Sequence, residues 1–261
     1  MKVLFITQND PIYVREFFDE LANMDLDSTD IVAVSIAPAM NKKTLMDLAR
    51  QMLDFYGPVD FVRMGFRFVM TKVGARLPAS LRFGRTFSIQ QAAEKAGIGV
   101  LEVANVNSPE FIEFVRGEKV DVIASVAAPQ IFRSELISAP ALACINIHNA
   151  RLPEYKGMLP NFWQMFDGRK TVGTTVHRIN EAIDEGAILL QEETEILPGE
   201  SLDSLIRRTK RKGAALVLKV LKMLESGTAD PIEPQKTSGS YFSFPTRSDV
   251  VEFRRRGYRL L

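Results

Sequence analysis

The sequence predicts an α/β protein with a mostly parallel sheet, a helical insertion and a short C-terminal extension. Three observations predict it. KVLFIT (2–7), DIVAVSIA (30–37), DVIASVA (121–127) and ALACINIH (141–148) are short apolar runs, the pattern of strands covered on both faces. Segments with helical apolar spacing, such as IYVREFFDEL (12–21), alternate with them, as in βαβ units. With 261 residues, 46% hydrophobic and 25% charged, the chain can bury a sizeable core as one large domain, or one domain plus an appendage.

Each element follows in order. KVLFIT, IYVREFFDEL and DIVAVSIA form the opening strand–helix–strand unit. Residues 42–97 read as mostly helical through TLMDLARQMLDFYG, VDFVRMGFRFVMTKVG and SIQQAAEKAG, ending at Gly97. That is long for a single crossover and predicts an added helical subdomain. GVLEVA (99–104) is a short strand. Ser108 caps a helix with Pro109 in its first turn, running to Gly117. After DVIASVA, PQIFRSELI is a short helix or turn, and ALACINIH is the next strand. TTVHRI (174–179) and AILLQEETEI (187–196) read as an antiparallel pair with a turn around Asp184, Glu185 and Gly186. Residues 200–227 form a long amphipathic helix with a basic stretch. The Pro-, Ser- and Arg-rich tail, 228–261, is expected to be irregular. The expected division is therefore a domain over 1–227 and an extension over 228–261.

Several functions are excluded. A net charge of +1 gives no overall electrostatic case for nucleic acid or anionic membrane. A single cysteine forbids an internal disulfide and a cysteine-based zinc site. The N-terminal apolar run is too soon broken for a signal peptide. Residues 59–74 are interrupted by Asp60, Arg63, Arg67 and Lys72, too short and too charged to span a bilayer. A soluble cytoplasmic protein is expected. No glycine precedes Gly57, which excludes a dinucleotide fingerprint or P-loop on the first strand–helix turn. That turn is Gln8-Asn9-Asp10-Pro11, which either touches a ligand in the crevice or caps the helix. Cys144 and His148 lie on one strand, about 13 Å apart at Cα, so they are no nucleophile–base pair, and Cys144 is expected in the core. No G-x-S-x-G elbow is present. His148, His177 and Asp184 match no metal-ligand spacing, and no metal is expected.

Asn146 and His148 are two residues apart on a strand, so both project from one face. Both lie at the strand's C-terminal end, where parallel α/β sheets place chemistry. A carboxamide and an imidazole suit a carbonyl that becomes tetrahedral: both donate to the developing oxyanion, and the imidazole moves protons. Asp184, in the apolar-flanked turn AIDEGA, is the candidate carboxylate that orients His148 and raises its proton affinity. A satisfied structural Asn–His pair is the alternative reading of these residues alone.

The run NIHNARLPEYKG, followed by PNFW, GTTVH and IDEGAILLQ, resembles the signature of formyltransferases that use 10-formyltetrahydrofolate. That family includes glycinamide ribonucleotide transformylase, methionyl-tRNA formyltransferase and sugar-nucleotide N-formyltransferases. The resemblance covers roughly residues 98–225, with N-x-H, L-P-x-Y-x-G, G-T-x-x-H and D-x-G in the family's order and spacing. It implies a Rossmann-like formyltransferase fold and puts the catalytic Asn, His and Asp on Asn146, His148 and Asp184. It implies 10-formyltetrahydrofolate as donor, held largely by backbone at Gln130, Ile131 and Phe132 and in the turn from Ile179, Asn180 and Glu181 to Asp184. Thr175 and His177 match supporting positions. The implied reaction is attack of an amine on the formyl carbon, with Asn146 and His148 holding the oxyanion and Asp184 keeping His148 charged.

The acceptor is read by elimination within the family. Glycinamide ribonucleotide enzymes carry a Gly/Ser phosphate loop where this chain has Gln8-Asn9-Asp10-Pro11. Methionyl-tRNA formyltransferases add a C-terminal barrel, and the roughly 35 residues after the long helix are too few for one. The family's folate hydrolases carry an extra N-terminal domain. The expected acceptor is therefore an amino group on a nucleotide-linked deoxysugar, not nucleic acid. A methionyl-tRNA formyltransferase-like enzyme and a formyltetrahydrofolate hydrolase are the alternatives. Acceptor contacts are expected from Gln8, Asn9, Asp10, Lys156 and Gly157, and from Trp163 unless it lies in the core. The Phe/Met-rich 42–90 region is compatible with a lid, a homodimer surface or a membrane-proximal patch.

Overall fold

A computed structural model describes residues 1–26, 29–39, 44–234 and 239–261. The start of the expected helical insertion, at 42–43, and part of the expected irregular tail, at 235–238, lie outside the described residues. The first strands are β1 (Lys2–Thr7), β2 (Asp30–Ile36), β3 (Val100–Glu102), β4 (Val122–Val126) and β5 (Ala143–His148). With β7 (Thr171–Arg178) and β8 (Ile188–Glu195) they form one seven-stranded sheet in the order β3-β2-β1-β4-β5-β7-β8. Pairing is parallel from β3 through β5, and β7 and β8 close one edge antiparallel.

The order reverses between β1 and β4. A crevice opens at such a switch point, outside the carboxyl ends of the strands. The turn after β1 and the loop after β4 both flank it, with the end of β5 alongside.

Strand periodicity splits the core. Val3 and Phe5 face the helices α1 (Val14–Leu21), α3 (Ile89–Lys95) and α7 (Leu202–Glu225), through Phe17, Ile89 and Val217. Leu4 and Ile6 point the other way, toward α4 (Pro109–Gly117) and α5 (Ser134–Ile137), through Ile112 and Leu136. Cys144 is buried on that side, and burial pushes its thiol up. The helix after β1 starts two residues later than its apolar spacing predicts. Asp10 Oδ1 accepts from the N–H groups of Ile12 and Tyr13 at 2.8 and 3.0 Å, which holds those residues in a turn ahead of the helix.

A third cluster gathers α2 (Leu45–Gly74), α6 (Pro160–Phe166) and α8 (Arg247–Arg255). Helix α2 bends sharply where Gly57 takes φ +69 ahead of Pro58. The tail corrects the sequence reading. Instead of being irregular it holds β9 (Tyr241–Phe242), paired in parallel with β6 (Lys156–Gly157), and the helix α8. Thr246 and Asp249 form a capping box, and Val250 and Phe253, three apart, bury one face of α8. Both signals are present in TRSDVVEF; the arginine content outweighed them.

Candidate active site

Strand β5 ends with Asn146 and His148, opposite His177 and Thr175 on β7. The two strands bring three polar side chains together with Asp184. The Asn146 Nδ2–H donates to His177 Nε2 at 3.1 Å. His177 Nδ1 lies 2.8 Å from the Arg178 carbonyl, which can only accept, so that nitrogen carries the proton. His148 Nε2–H likewise donates to the Tyr155 carbonyl at 2.9 Å. His148 Nδ1 is thereby the exchangeable nitrogen, and it faces Asp184 Oδ2 at 3.5 Å. Asp184 Oδ1 lies 3.7 Å from His177 Nε2. The carboxylate therefore stands between the two rings.

Local backbone geometry delivers these groups. Asp184 takes a left-handed φ of 54°. A Cβ on Gly186 would lie 1.7 Å from the Arg178 carbonyl oxygen, so the turn that presents Asp184 closes only with glycine there. Gly157 has φ +96, and a Cβ on it would lie 2.3 Å from the Phe242 carbonyl oxygen. Its N–H donates to Asp184 Oδ2 at 3.0 Å. Ala127 and Leu159, also left-handed, line the same crevice, and Tyr155, left-handed too, meets His148 through its carbonyl. Concentrated strain of this kind marks functional sites. The tail fastens the loop: Tyr155 N donates to Ser240 Oγ, Lys156 N to the Ser240 carbonyl, and Met158 N to the Phe242 carbonyl, at 3.1, 2.9 and 2.8 Å.

Charge states follow from burial and neighbours. Burial alone raises the Asp184 carboxyl, but the two imidazoles and the Gly157 N–H overcome it and hold it at about 2. For His148 burial wins over the attraction of Asp184 and pushes the imidazole below its ordinary 6.5. The resting ring is thus neutral at neutral pH, where the sequence reading expects Asp184 to keep it charged. With only two histidines, a ring-proton NMR titration resolves them. The His148 midpoint is expected below 6.5. It should fall further in Asp184→Asn, because the carboxylate is what favours the imidazolium. A midpoint that rises in that variant contradicts this geometry.

Two cavities meet at these residues. The first, about 400 Å³, is lined by Gln130, Ile131 and Phe132 and by the turn from Ile179 to Asp184. The second, about 590 Å³, is lined by Gln8, Asp10, Tyr13, His148, Lys210 and Phe244 among others. Asn146, Gly157 and Asp184 line both. The structure thus brings most of the expected site residues to one crevice. Gln130 reaches the first cavity but commits its side chain to its own loop, accepting from Val106 N–H at 3.0 Å and donating to the carbonyls of Pro38 and Ala104. The turn after β1 both caps and lines: Asp10 binds the helix start while it and Gln8 face the second cavity.

Three expected contacts lie elsewhere. Asn9 is exposed and lines neither cavity, and Lys156 pairs with Glu185 at 2.6 Å. Trp163 is buried between Phe162 and Phe242, its Nε1–H donating to the Ser243 carbonyl at 3.1 Å.

Sequence reasoning missed Lys210. It faces the second cavity with no hydrogen bond or ion pair among the described residues, and burial lowers its pKa against the pull of Asp10. Its signal was phase: in the basic run of α7 it falls in step with buried Ile206, Gly213 and Val217. Asn149 and Asn161 were also missed; the Oδ1 of each is buried without a partner among the described residues, and both residues line that cavity.

Comparison with known proteins adds relatives. The family model described as formyl transferase matches residues 79–221. A methionyl-tRNA formyltransferase of Syntrophus aciditrophicus is 36% identical over 155 residues, 59% of this chain and 49% of that protein. The chain spans about half the length of the curated relatives it matches. Among solved structures, a glycinamide ribonucleotide transformylase from Symbiobacterium toebii superposes with a TM-score of 0.59 at 15% identity, covering 90% of this chain and 94% of that one. An N-formyltransferase from Helicobacter canadensis, in complex with folinic acid and dTDP-3-aminofucose, gives 0.55 at 19%, covering 93% and 71%. These last two are likenesses of fold.

Proposed function

We propose, for a chain that belongs to the formyl transferase family, that it moves the formyl group of 10-formyltetrahydrofolate to the amino group of a nucleotide-linked deoxysugar. One observation carries this reading. Two cavities, one for a donor and one for an acceptor, share a wall that includes Asn146, Gly157 and Asp184, with Ala128, Pro129 and Met158.

The residues around the first cavity fit a folate. Its rim carries Ile131, Met158, Ile183 and Tyr241, large apolar side chains that stand exposed and suit a flat heteroaromatic ring. Gln130, its side chain spent on the loop, offers backbone. Bound there, the folate supplies an acyl carbon whose oxygen gains negative charge as an amine adds.

The chain's own groups serve that charge and the proton that accompanies it. Asn146 Nδ2 carries two hydrogens and spends one on His177, which leaves the other for the oxygen. His177 is a positioning residue: its Nε2 fixes the carboxamide. The neutral His148 takes the amine proton at Nδ1, and Asp184 Oδ2, ionised and 3.5 Å away, stabilises the imidazolium that results. Protonated, His148 is a second donor toward the oxygen, and it gives that proton to the folate nitrogen as the bond between that nitrogen and the acyl carbon breaks, which leaves the formyl group on the amine and the ring neutral again.

The second cavity supports a polar, anionic acceptor with an aromatic part. Lys210 is an unpaired cation suited to a phosphate. The orphan Oδ1 atoms of Asn149 and Asn161 await donors, which amino and hydroxyl groups supply. Tyr13 and Phe244 offer faces for a base. The Syntrophus relative favours a second reading, methionyl-tRNA as acceptor.

Incubation with 10-formyltetrahydrofolate and, in turn, nucleotide-linked amino sugars, glycinamide ribonucleotide, charged initiator tRNA or buffer separates the readings. Acceptor-dependent folate turnover with an amino sugar is expected. Turnover without any acceptor indicates a hydrolase, and turnover with tRNA alone moves the assignment to the second reading.

A further inference from the structure

The outer half of α2, from Pro58 to Gly74, shows more of its apolar side chains to solvent than it buries. A surface helix of a globular protein buries its apolar stripe and shows its charges. Here Val59, Val62, Phe66, Val69, Met70 and Val73 are 47 to 68% exposed. Their spacing of three and four residues places them in one stripe, about 100° wide and about 21 Å long. The inward side buries only the side chain of Met64, with Phe61 packed beside it, and is otherwise held by ion pairs: Arg67 with Asp203 at 2.9 Å, and Asp60 with Arg254 at 3.0 Å. The chain then runs into LRFGR (81–85), where Leu81 and Phe83 are exposed, Phe83 at 87%.

The charge of this segment is equally one-sided. Residues 59–85 hold Arg63, Arg67, Lys72, Arg76, Arg82 and Arg85 against one acid, Asp60, or +5 in a chain whose total is +1. Lys72, Arg76 and Arg85 are exposed and make no ion pair among the described residues. Arg63 and Lys72 flank the apolar stripe on its two sides, by their positions on the helix.

We propose that this face docks on an anionic phospholipid surface, with the stripe and Phe83 at the level of the acyl chains and the cations among the headgroups. An apolar stripe edged by Lys and Arg is the composition of helices that lie in the bilayer interface. Among the described residues no helix is long and apolar enough to cross a membrane, so the contact is peripheral. A second copy is the poorer occupant, because a symmetric contact sets one +5 segment against another.

Sedimentation with vesicles tests it. The protein should bind phosphatidylcholine vesicles containing phosphatidylglycerol on the order of a hundredfold tighter than phosphatidylcholine alone, from three free cations near the surface. The preference should shrink as salt rises. Replacing Phe66 and Phe83 with Ser should weaken binding to both vesicles, while Lys72→Glu with Arg76→Glu should abolish the anionic preference. All four residues are exposed, so both variants should keep the melting temperature and formyl transfer in solution. Failure of the protein to bind anionic vesicles overturns the proposal, as does equal binding by the variants. So does a concentration-dependent dimer, without lipid, that the serine variant dissociates.

Discussion

Replacing His148 with alanine, or Asp184 with asparagine, is expected to lower formyl transfer about a thousandfold while the fold survives. The magnitude is that of a lost proton acceptor combined with a lost oxyanion donor. The two variants fail differently. His148→Ala removes the atom that takes the proton and leaves the Tyr155 carbonyl without its donor, a local cost of about 1–3 kcal/mol. Asp184→Asn keeps the ring and an oxygen for the Gly157 N–H, and removes only the charge that stabilises the imidazolium. The readout is single-turnover transfer by purified protein, with far-UV circular dichroism and melting as controls for folding. Full activity in either variant refutes the assignment. Because both residues belong to one unit, the double variant should be little worse than either single one.

Phe253→Ala should be the most destabilising single change in the tail. Phe253 is fully buried, stacked on Phe162 at 4.6 Å between centroids with planes 20° apart, and 5.0 Å from Tyr258. Truncating a buried phenylalanine costs about 3–5 kcal/mol through lost transfer energy and the cavity left behind. In a chain of this size that lowers the melting temperature by on the order of 10 °C. The exposed neighbour Val251 is the control: Val251→Ala should stay within about 0.5 kcal/mol of the parent. Equal melting of the two variants would mean that α8 contributes nothing to the body of the protein.

The contrast between these two regions shows what was legible in the sequence. The sheet strands were readable because strands covered on both faces must be continuously apolar, and KVLFIT and DVIASVA are. The helix from Pro109 was readable because Ser108 is an effective cap and Pro109 fits only a first turn; Ser108 does accept from the Phe111 N–H. Asn146, His148 and Asp184 could be grouped from strand periodicity and family resemblance, and the structure sets Asp184 beside His148 and links Asn146 to it through His177. The parallel pairing of Lys156 with Tyr241 was not readable, since it joins two-residue strands far apart in the chain with no periodicity of their own. Lys210 hid in a basic run that reads as a solvated face until each position is assigned a phase. The neutrality of His148 depends on burial from several elements at once, which no local pattern states.

The pairing of β6 with β9 has a consequence for how the protein is made. A ribosome lays down Asn146 and His148 long before Ser240 and Phe242, so a nascent chain can fold its sheet while three amides of the catalytic loop still lack partners. The loop is then aimed only once Ser240 and Phe242 have been made. Fragments from synthesis interrupted before Ser240 would carry Asn146 and His148 without the strap that holds the loop beside them.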